Sequence, residues 1–321
     1  MPKLSDEEWI AKFKECGSSP AQMAKATGIS VRNIYYRREH LEGKLTVPLP
    51  SNANPFDYHP RLKLENITGS VVVFSDCHWW PGISDTVAYK ALVEVIREIK
   101  PTMIVANGDI LDGSRISRFG PIGWEKTPDV KAELDEVQAR MTAIRLAARR
   151  AIHVRTIGNH DLRYDSTLAS RAREFTGIKG FRLADHLCEW KETMSLWIND
   201  NTVIKHRWHN GVNAGYYNTM KSGKSVMTGH DHHLKVTPYQ DYNGIRFAGQ
   251  DGTLADGGGG LDPGGPQFAY GEDNPSQANS GFLVLPFIRN GHLIEPEVCR
   301  VINGEAWFRN QRVAGRRKVA A

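Results

Sequence analysis

The chain has 321 residues, 40% of them hydrophobic and 24% charged, with a net charge of +5; this is the composition of a globular protein, long enough for one catalytic domain and a small extra module. Its four cysteines, Cys16, Cys77, Cys188 and Cys299, form no CxxC pair, which excludes a zinc-finger pattern and a compact disulfide framework. No apolar run reaches membrane-spanning length and the first residues lack a secretory pattern, so the expected location is cytoplasmic, with no membrane partner.

In chain order, Ser5 and Glu8 fit a capping box ahead of a helix with Trp9, Ile10 and Phe13 on its apolar face. Gly17 stops that helix. Ser19-Pro20 starts a second, which Gly28 closes, and Ser30 caps a third running through Val31, Ile34 and Tyr35 towards His40. Two short helices joined by Gly-Ile-Ser match a helix-turn-helix, so residues 1–45 read as a small all-α DNA-binding-type domain. On its third helix Arg32, Asn33, Tyr36 and Arg37 suit phosphate and base-edge contacts. The other use of such a domain is protein docking. Residues 46–66, rich in proline and asparagine up to residue 60, read as a linker.

From residue 67 to 303 the pattern is that of a second domain. Residues 71–74, 103–106 and 152–156 read as buried strands, alternating with helices over 84–100 and 129–149. Further strand-like runs fall at 202–205, 225–228, 245–247 and 282–287. Alternation first and strands later predict an α/β core completed by a second sheet. Residues 257–265 form a glycine- and proline-rich loop. Residues 304–321, with Arg309, Arg312, Arg316, Arg317 and Lys318, read as a basic tail.

Histidines and aspartates gather where these strands end. Asp76 and His78 follow the first, Asp109 and Asp112 the second, and Asn159, His160 and Asp161 the third. His206 ends the strand from 202, and His230 and His232 follow that from 225. Ligand sites of open α/β sheets lie beyond the carboxyl ends of the strands, so five segments deliver polar groups to one region. Residues i and i+2 of an extended chain point the same way, which lets Asp76 with His78, and His230 with His232, converge.

The ordered series D-x-H, G-D-x-x-D, G-N-H-D, a strand-end histidine and G-H-x-H resembles the calcineurin-like metallophosphoesterases over residues 70–235. The resemblance implies a β-sandwich of two mixed sheets flanked by helices. It also implies two divalent metal ions, one on Asp76, His78, Asp109 and His232, the other on Asp109, Asn159, His206 and His230, with Asp109 bridging. His209 is the alternative to His206. Mn²⁺ is the preferred metal, with Fe or Zn²⁺ as alternatives. The implied chemistry is attack on a phosphoester by a metal-bound hydroxide, with His160 as general acid and Asp112 accepting its second N–H. Trp79 and Trp80 line a base-stacking cleft or are ordinary core aromatics; Arg115, Arg118 and Arg207, close to motif residues in the chain, hold a substrate phosphate or are surface charges; Cys77 packs away from the ligands.

With the helical module, DNA is the expected partner and a nuclease of the recombination and repair type the first reading. A phosphatase or cyclic phosphodiesterase acting on small nucleotides or phosphoproteins is the second. A DNA-binding adaptor with an inactive phosphoesterase fold is the third.

Overall fold

The computed structural model describes residues 4–45, 61–120, 126–175, 177–255 and 278–315. The chain divides into two compact units, Met1–Asp57 and Tyr58–Ala321. The first contains helices α1 (Asp6–Glu15), α2 (Pro20–Thr27) and α3 (Val31–Leu45). Ser5 Oγ accepts the Glu8 N–H at 3.2 Å and the Glu8 carboxylate accepts the Ser5 N–H at 2.8 Å, pairing two donors that a bare helix start leaves orphaned. Gly28 ends α2 at φ 73°, a left-handed turn open to glycine because it has no Cβ to clash. Trp9, Phe13, Met23, Ile34 and Leu41 form the small core.

Arg32, Asn33 and Tyr36 are exposed on α3, but Arg37 departs from the expected DNA-contacting set. Its guanidinium donates to the carbonyl oxygens of Leu4 and Ser5 and lies 5.9 Å from the centre of the Trp9 ring. Helical spacing is the reason: position 37 lies one turn from both Ile34 and Leu41, on the stripe that meets α1.

The larger unit runs β1 (Leu62–Leu64), β2 (Gly69–Phe74), α4 (Val87–Ile99), β3 (Met103–Asn107), α5 (Val130–Ala147), β4 (Ile152–Thr156), α6 (Asp161–Arg171) and α7 (Leu183–His186). It continues through β5 (Lys191–Thr193), β6 (Leu196–Ile198), β7 (Thr202–Ile204), α8 (Ala214–Ser222), β8 (Ser225–Thr228), β9 (Leu234–Asp241) and β10 (Gly244–Asp251). It closes with β11 (Gly281–Phe287), β12 (Glu297–Ile302), β13 (Glu305–Phe308) and β14 (Gln311–Gly315).

Two mixed sheets result, ordered β14-β13-β12-β11-β2-β3-β4-β5 and β1-β6-β7-β8-β10-β9. The period-2 alternation of the strands sorts their side chains between two layers. Val71, Val73, Met103, Val105 and Val154 pack with Leu196, Ile204, Met227 and Phe247 of the second sheet. Their neighbours Val72, Phe74, Ile104 and Ala106 pack under Leu92, Ile96, Val137 and Met141 of α4 and α5. The chain is thus a two-sheet sandwich flanked by helices, as expected. Strands β2, β3 and β4 run parallel, so their carboxyl ends open on one edge of the sandwich.

Two segments differ from the sequence reading. Leu62–Leu64, inside the expected linker, is a strand parallel to β6; three residues are too few to carry a periodic signal. Residues 305–315 of the expected basic tail form the β13–β14 hairpin of the larger sheet. Arg309 and Arg312 there are paired with Glu297 and Glu305, at 2.7 and 2.9 Å. Arg316, Arg317 and Lys318, the loop over 257–265 and the linker up to residue 60 lie outside the described residues. Among the described residues, no helix is long and apolar enough to cross a membrane.

Candidate metal centre

The turns that leave β2, β3 and β8 are built from residues in unusual backbone conformations. Asp76, His78, Asp109, His230 and His232 have φ of 51°, 44°, 51°, 75° and 57°. Left-handed conformations cost a residue with a Cβ on the order of 1–3 kcal/mol, and they persist where the surroundings over-determine them. Here the surroundings are one another. The Asp76 carboxylate accepts the His230 N–H at 2.8 Å, and the Asp109 carboxylate accepts the His160 N–H at 2.8 Å. Gly108 and Gly229 permit this closeness: a Cβ on Gly108 would come within 2.6 Å of the His206 ring, and one on Gly229 within 2.6 Å of the Asp76 carboxylate.

Two groups of side chains converge within ligand distance of a common point, Asp76 with His78 and His232, and Asp109 with His206 and His230. Asp76 Oδ1 lies 3.4 Å from His232 Nε2, and Asp109 Oδ2 lies 3.0 Å from His206 Nε2. His206, not His209, therefore joins the cluster; His209 Nε2 lies 3.0 Å from Lys221 Nζ instead. A third group, His78, Asp112 and His160, adjoins the first. Asp76 Oδ1, His206 Nε2 and Asn159 Oδ1 are buried, and apart from the carboxylate–imidazole approaches just given they have no hydrogen-bond partner among the described residues. Buried polar atoms are rarely left so. A divalent cation satisfies such nitrogen and oxygen donors at once, and the residues present fit one.

The imidazoles are already set for that role. His78 Nδ1 lies 3.1 Å from the Asp112 carboxylate and His206 Nδ1 lies 2.8 Å from the Asn107 carbonyl oxygen. An Nδ1–H donated in each case leaves Nε2 as the ligating atom, the usual way a second layer fixes a histidine ligand. Burial lowers the pKa of His206, but the carboxylates of Asp109 and Asp76 outweigh it and push it up to about 10. Without a cation, two buried carboxylates draw a proton onto this ring. Burial and the neighbouring His206 push His230 down to about 4, leaving it a neutral donor.

Asp112 faces His160 Nδ1 through two acceptors, its carbonyl oxygen at 2.8 Å and its carboxylate at 3.4 Å. The carboxylate also lies 3.1 Å from His78 Nδ1 and accepts from the Ser114 hydroxyl. His160 Nε2 lies 3.1 Å from Arg163 Nη2, whose other nitrogen donates to the Asp112 carbonyl at 2.8 Å. Trp79 and Trp80 are buried, Trp79 edge-on to Tyr89, so neither lines an open cleft. Cys77 is buried in the core, away from the ligands as expected. Arg115, Arg118 and Arg207 are exposed.

In the sequence Asp161 stands at the strand end with Asn159 and His160 but has no assigned role. Its carboxylate accepts the N–H groups of Asp109, Ile110, Leu111 and Gly158 at 3.0–3.3 Å. It therefore fixes the turn that carries Asp109, and Arg155, also buried, lies 3.7 Å behind it. Its only sequence signal is its place directly after the Gly-Asn-His triplet.

The family profile of the calcineurin-like phosphoesterases matches residues 69–256. The chain belongs to that family, and is accordingly a metallophosphoesterase of the hydrolase class. Among solved structures it is similar to a single mutant of Vps29 from Entamoeba histolytica, at 13% identity over 77% of this chain and 99% of that one, with a TM-score of 0.38. It is also similar to nuclease MPE from Pseudomonas putida (14% identity, 66% and 82% covered, TM-score 0.32). A third is a serine/threonine phosphatase from Saccharomyces cerevisiae with similarity to human phosphatase PP5 (10% identity, 77% and 85% covered, TM-score 0.35). None of these likenesses bears on substrate. No curated protein sequence matches the chain.

Asp161→Ala should weaken metal affinity by roughly 10–100-fold while the fold is retained, because four backbone donors lose the acceptor that orients Asp109. Metal titration by calorimetry alongside circular dichroism checks this, and unchanged affinity contradicts it. Metal uptake at pH 8 should release about one proton per chain, since His206 holds one below about 10 and a cation takes its place. Calorimetry in buffers of different ionisation enthalpy measures that release. A buffer-independent heat would show that His206 is already neutral.

Proposed function

We propose that this chain is a two-metal phosphodiesterase that acts on DNA. The observation that carries the hydrolytic part is the convergence of two Asp–His–His groups, their carboxylates and imidazoles gathered within ligand reach of one another. In this reading Asp76, His78, Asp109 and His232 hold one divalent cation, and Asp109, Asn159, His206 and His230 the other. The ligand set of carboxylate, amide and imidazole, without thiolate, favours Mn²⁺, with Fe or Zn²⁺ as alternatives. Cations bound there supply a nucleophile near neutral pH and offset the charge that builds on the phosphoryl oxygens.

The chain's own residues do the rest. Asp109, oriented by Asp161, fixes the spacing between the two ligand groups. His160, held through Nδ1 by the Asp112 carbonyl, presents Nε2 to the leaving oxygen and gives it a proton. In that step Nε2 carries hydrogen, so Arg163 turns from the ring to a phosphate oxygen, where its planar guanidinium makes paired hydrogen bonds. Asp112 acts on both sides of the site, its carboxylate on His78 and its carbonyl on His160.

The choice of DNA is supported by the N-terminal helices. Helices α2 and α3 are joined by only Gly28, Ile29 and Ser30, a link short enough for a helix-turn-helix, and Arg32, Asn33 and Tyr36 stand exposed on α3. Arg32 and Tyr36 also touch one another, at 3.4 Å. Such side chains reach phosphates and base edges when a helix enters a groove.

A panel of single- and double-stranded DNA, a cyclic nucleotide, a phosphomonoester and a small chromogenic diester, each with Mn²⁺, tests the proposal. DNA and the small diester should be hydrolysed, and Asp109→Asn should abolish both activities. Hydrolysis of the monoester alone would replace the diesterase reading with a phosphatase. Removing residues 1–45 should weaken DNA binding at fixed salt while sparing the small diester. Equal DNA affinity would refute a DNA-binding role for the helices.

A further inference from the structure

A groove of about 470 Å³ leads away from the metal-ligand cluster along one face of α6. Asn159 stands at its head, and Arg163, Thr167 and Arg171 follow at intervals of four residues, which places them in one row down the helix. The facing wall is residues 116–119, tied to α6 by the Thr167 hydroxyl, which donates to the Ile116 carbonyl at 3.3 Å. Arg207, next in the chain to His206, closes the end nearest the cluster. Among the described residues the lining holds four arginines and no carboxylate. Phe119 is 65% exposed on the far wall, and the Arg118 guanidinium lies 4.9 Å from its ring centre.

We infer that this groove is a binding track for single-stranded DNA, so that the substrate reaches the centre as a strand with further phosphates along α6. The inference rests on the diesterase reading above and names the form of its substrate. The row from Arg163 to Arg171 spans roughly 12 Å at 1.5 Å per residue, longer than a single phosphate needs. A polyanion with phosphates repeated along it uses the whole row; a lone monoester at the centre leaves Arg171 without purpose. The exposed Phe119 offers a ring face for an unpaired base, as in sites that follow a strand without reading its sequence. Bases paired and stacked within a duplex have no free face to offer it.

Arg171→Glu and Phe119→Ala, made singly in the full chain, test this. Both positions are exposed and neither belongs to the hydrolytic machinery, so Mn²⁺ content and turnover of the small chromogenic diester should stay at the wild-type level. KM for a single-stranded oligonucleotide should rise roughly tenfold or more with either change, with kcat little altered. For Arg171→Ala, the slope of log affinity against log salt should fall by about 0.7 in magnitude, the signature of one lost phosphate contact on a single strand. Wild-type cleavage of oligonucleotides, with KM and salt slope unmoved by these substitutions, would overturn the track while leaving the diesterase reading intact. Duplex cleavage with the same dependence on Arg171 and Phe119 would overturn the single-strand assignment. A wild-type enzyme that hydrolyses the small diester but no DNA would sink the DNA reading itself.

Discussion

The carboxylate of Asp109 is the constraint around which the larger unit is arranged. It is almost fully buried, and an ionised carboxylate in that position costs several kcal/mol unless its oxygens are engaged. One oxygen takes the His160 N–H and the other faces His206. The turn beneath it is fixed by a second buried carboxylate, that of Asp161, which accepts four backbone N–H groups. Two negative groups so close repel each other, and the buried guanidinium of Arg155, itself paired with Glu192, offsets part of that repulsion. Burial raises the pKa of Asp109, yet the neighbouring imidazoles, His206 foremost, hold it well below the usual carboxylate range. A centre assembled this way is negative before any cation arrives.

The same arrangement explains why the strained turns survive. Each strand-end turn is held by a hydrogen bond from another turn, so Asp76 depends on the loop after β8 and Asp109 on the loop after β4. Glycines 108, 158 and 229 stand where any side chain would strike a ligand. Packing between the sheets then fixes the distances, because β2, β3, β4 and β8 cannot shift register without moving apolar residues out of the core.

Much of this was legible from residue order. The strands before Asp76, Asp109, Asn159 and His230 are apolar runs ending in turn-forming polar residues, and buried strands have that form. The ligand region was legible from the strand-end rule, whereas the extended i and i+2 alternation expected of Asp76–His78 and His230–His232 gives way to left-handed turns that send His230 and His232 to different groups. The rest was hidden for physical reasons. Helix α6 reads as polar, since its buried residues are Asp161, Tyr164 and Asp165 rather than an aliphatic stripe. Strands β1, β5 and β6 have three residues each, too short for any period to show. The β13–β14 hairpin carries arginines paired with Glu297 of β12 and with Glu305 across the hairpin itself, pairings that residue order does not reveal, so its charge mimicked a solvated tail. Arg37 could not be separated from Arg32 without knowing which side of α3 meets α1. Asp161 exerts its effect through backbone amides, which carry no sequence signature.

The strand order has one more consequence, for behaviour at high concentration. A sheet's outermost strands present unpaired amides and carbonyls that can recruit another molecule into a growing ribbon. Here β1 and β5 end their sheets after three residues, giving an incoming strand little to grip. The long border strand β9 carries Pro238 in its middle, which withholds a donor and spoils a continuous ladder. On the remaining border the β13–β14 pairing slips register beside Trp307, twisting β14 out of line. Among the described residues each border strand is thus short, interrupted or irregular, which leaves an incoming strand little to pair with.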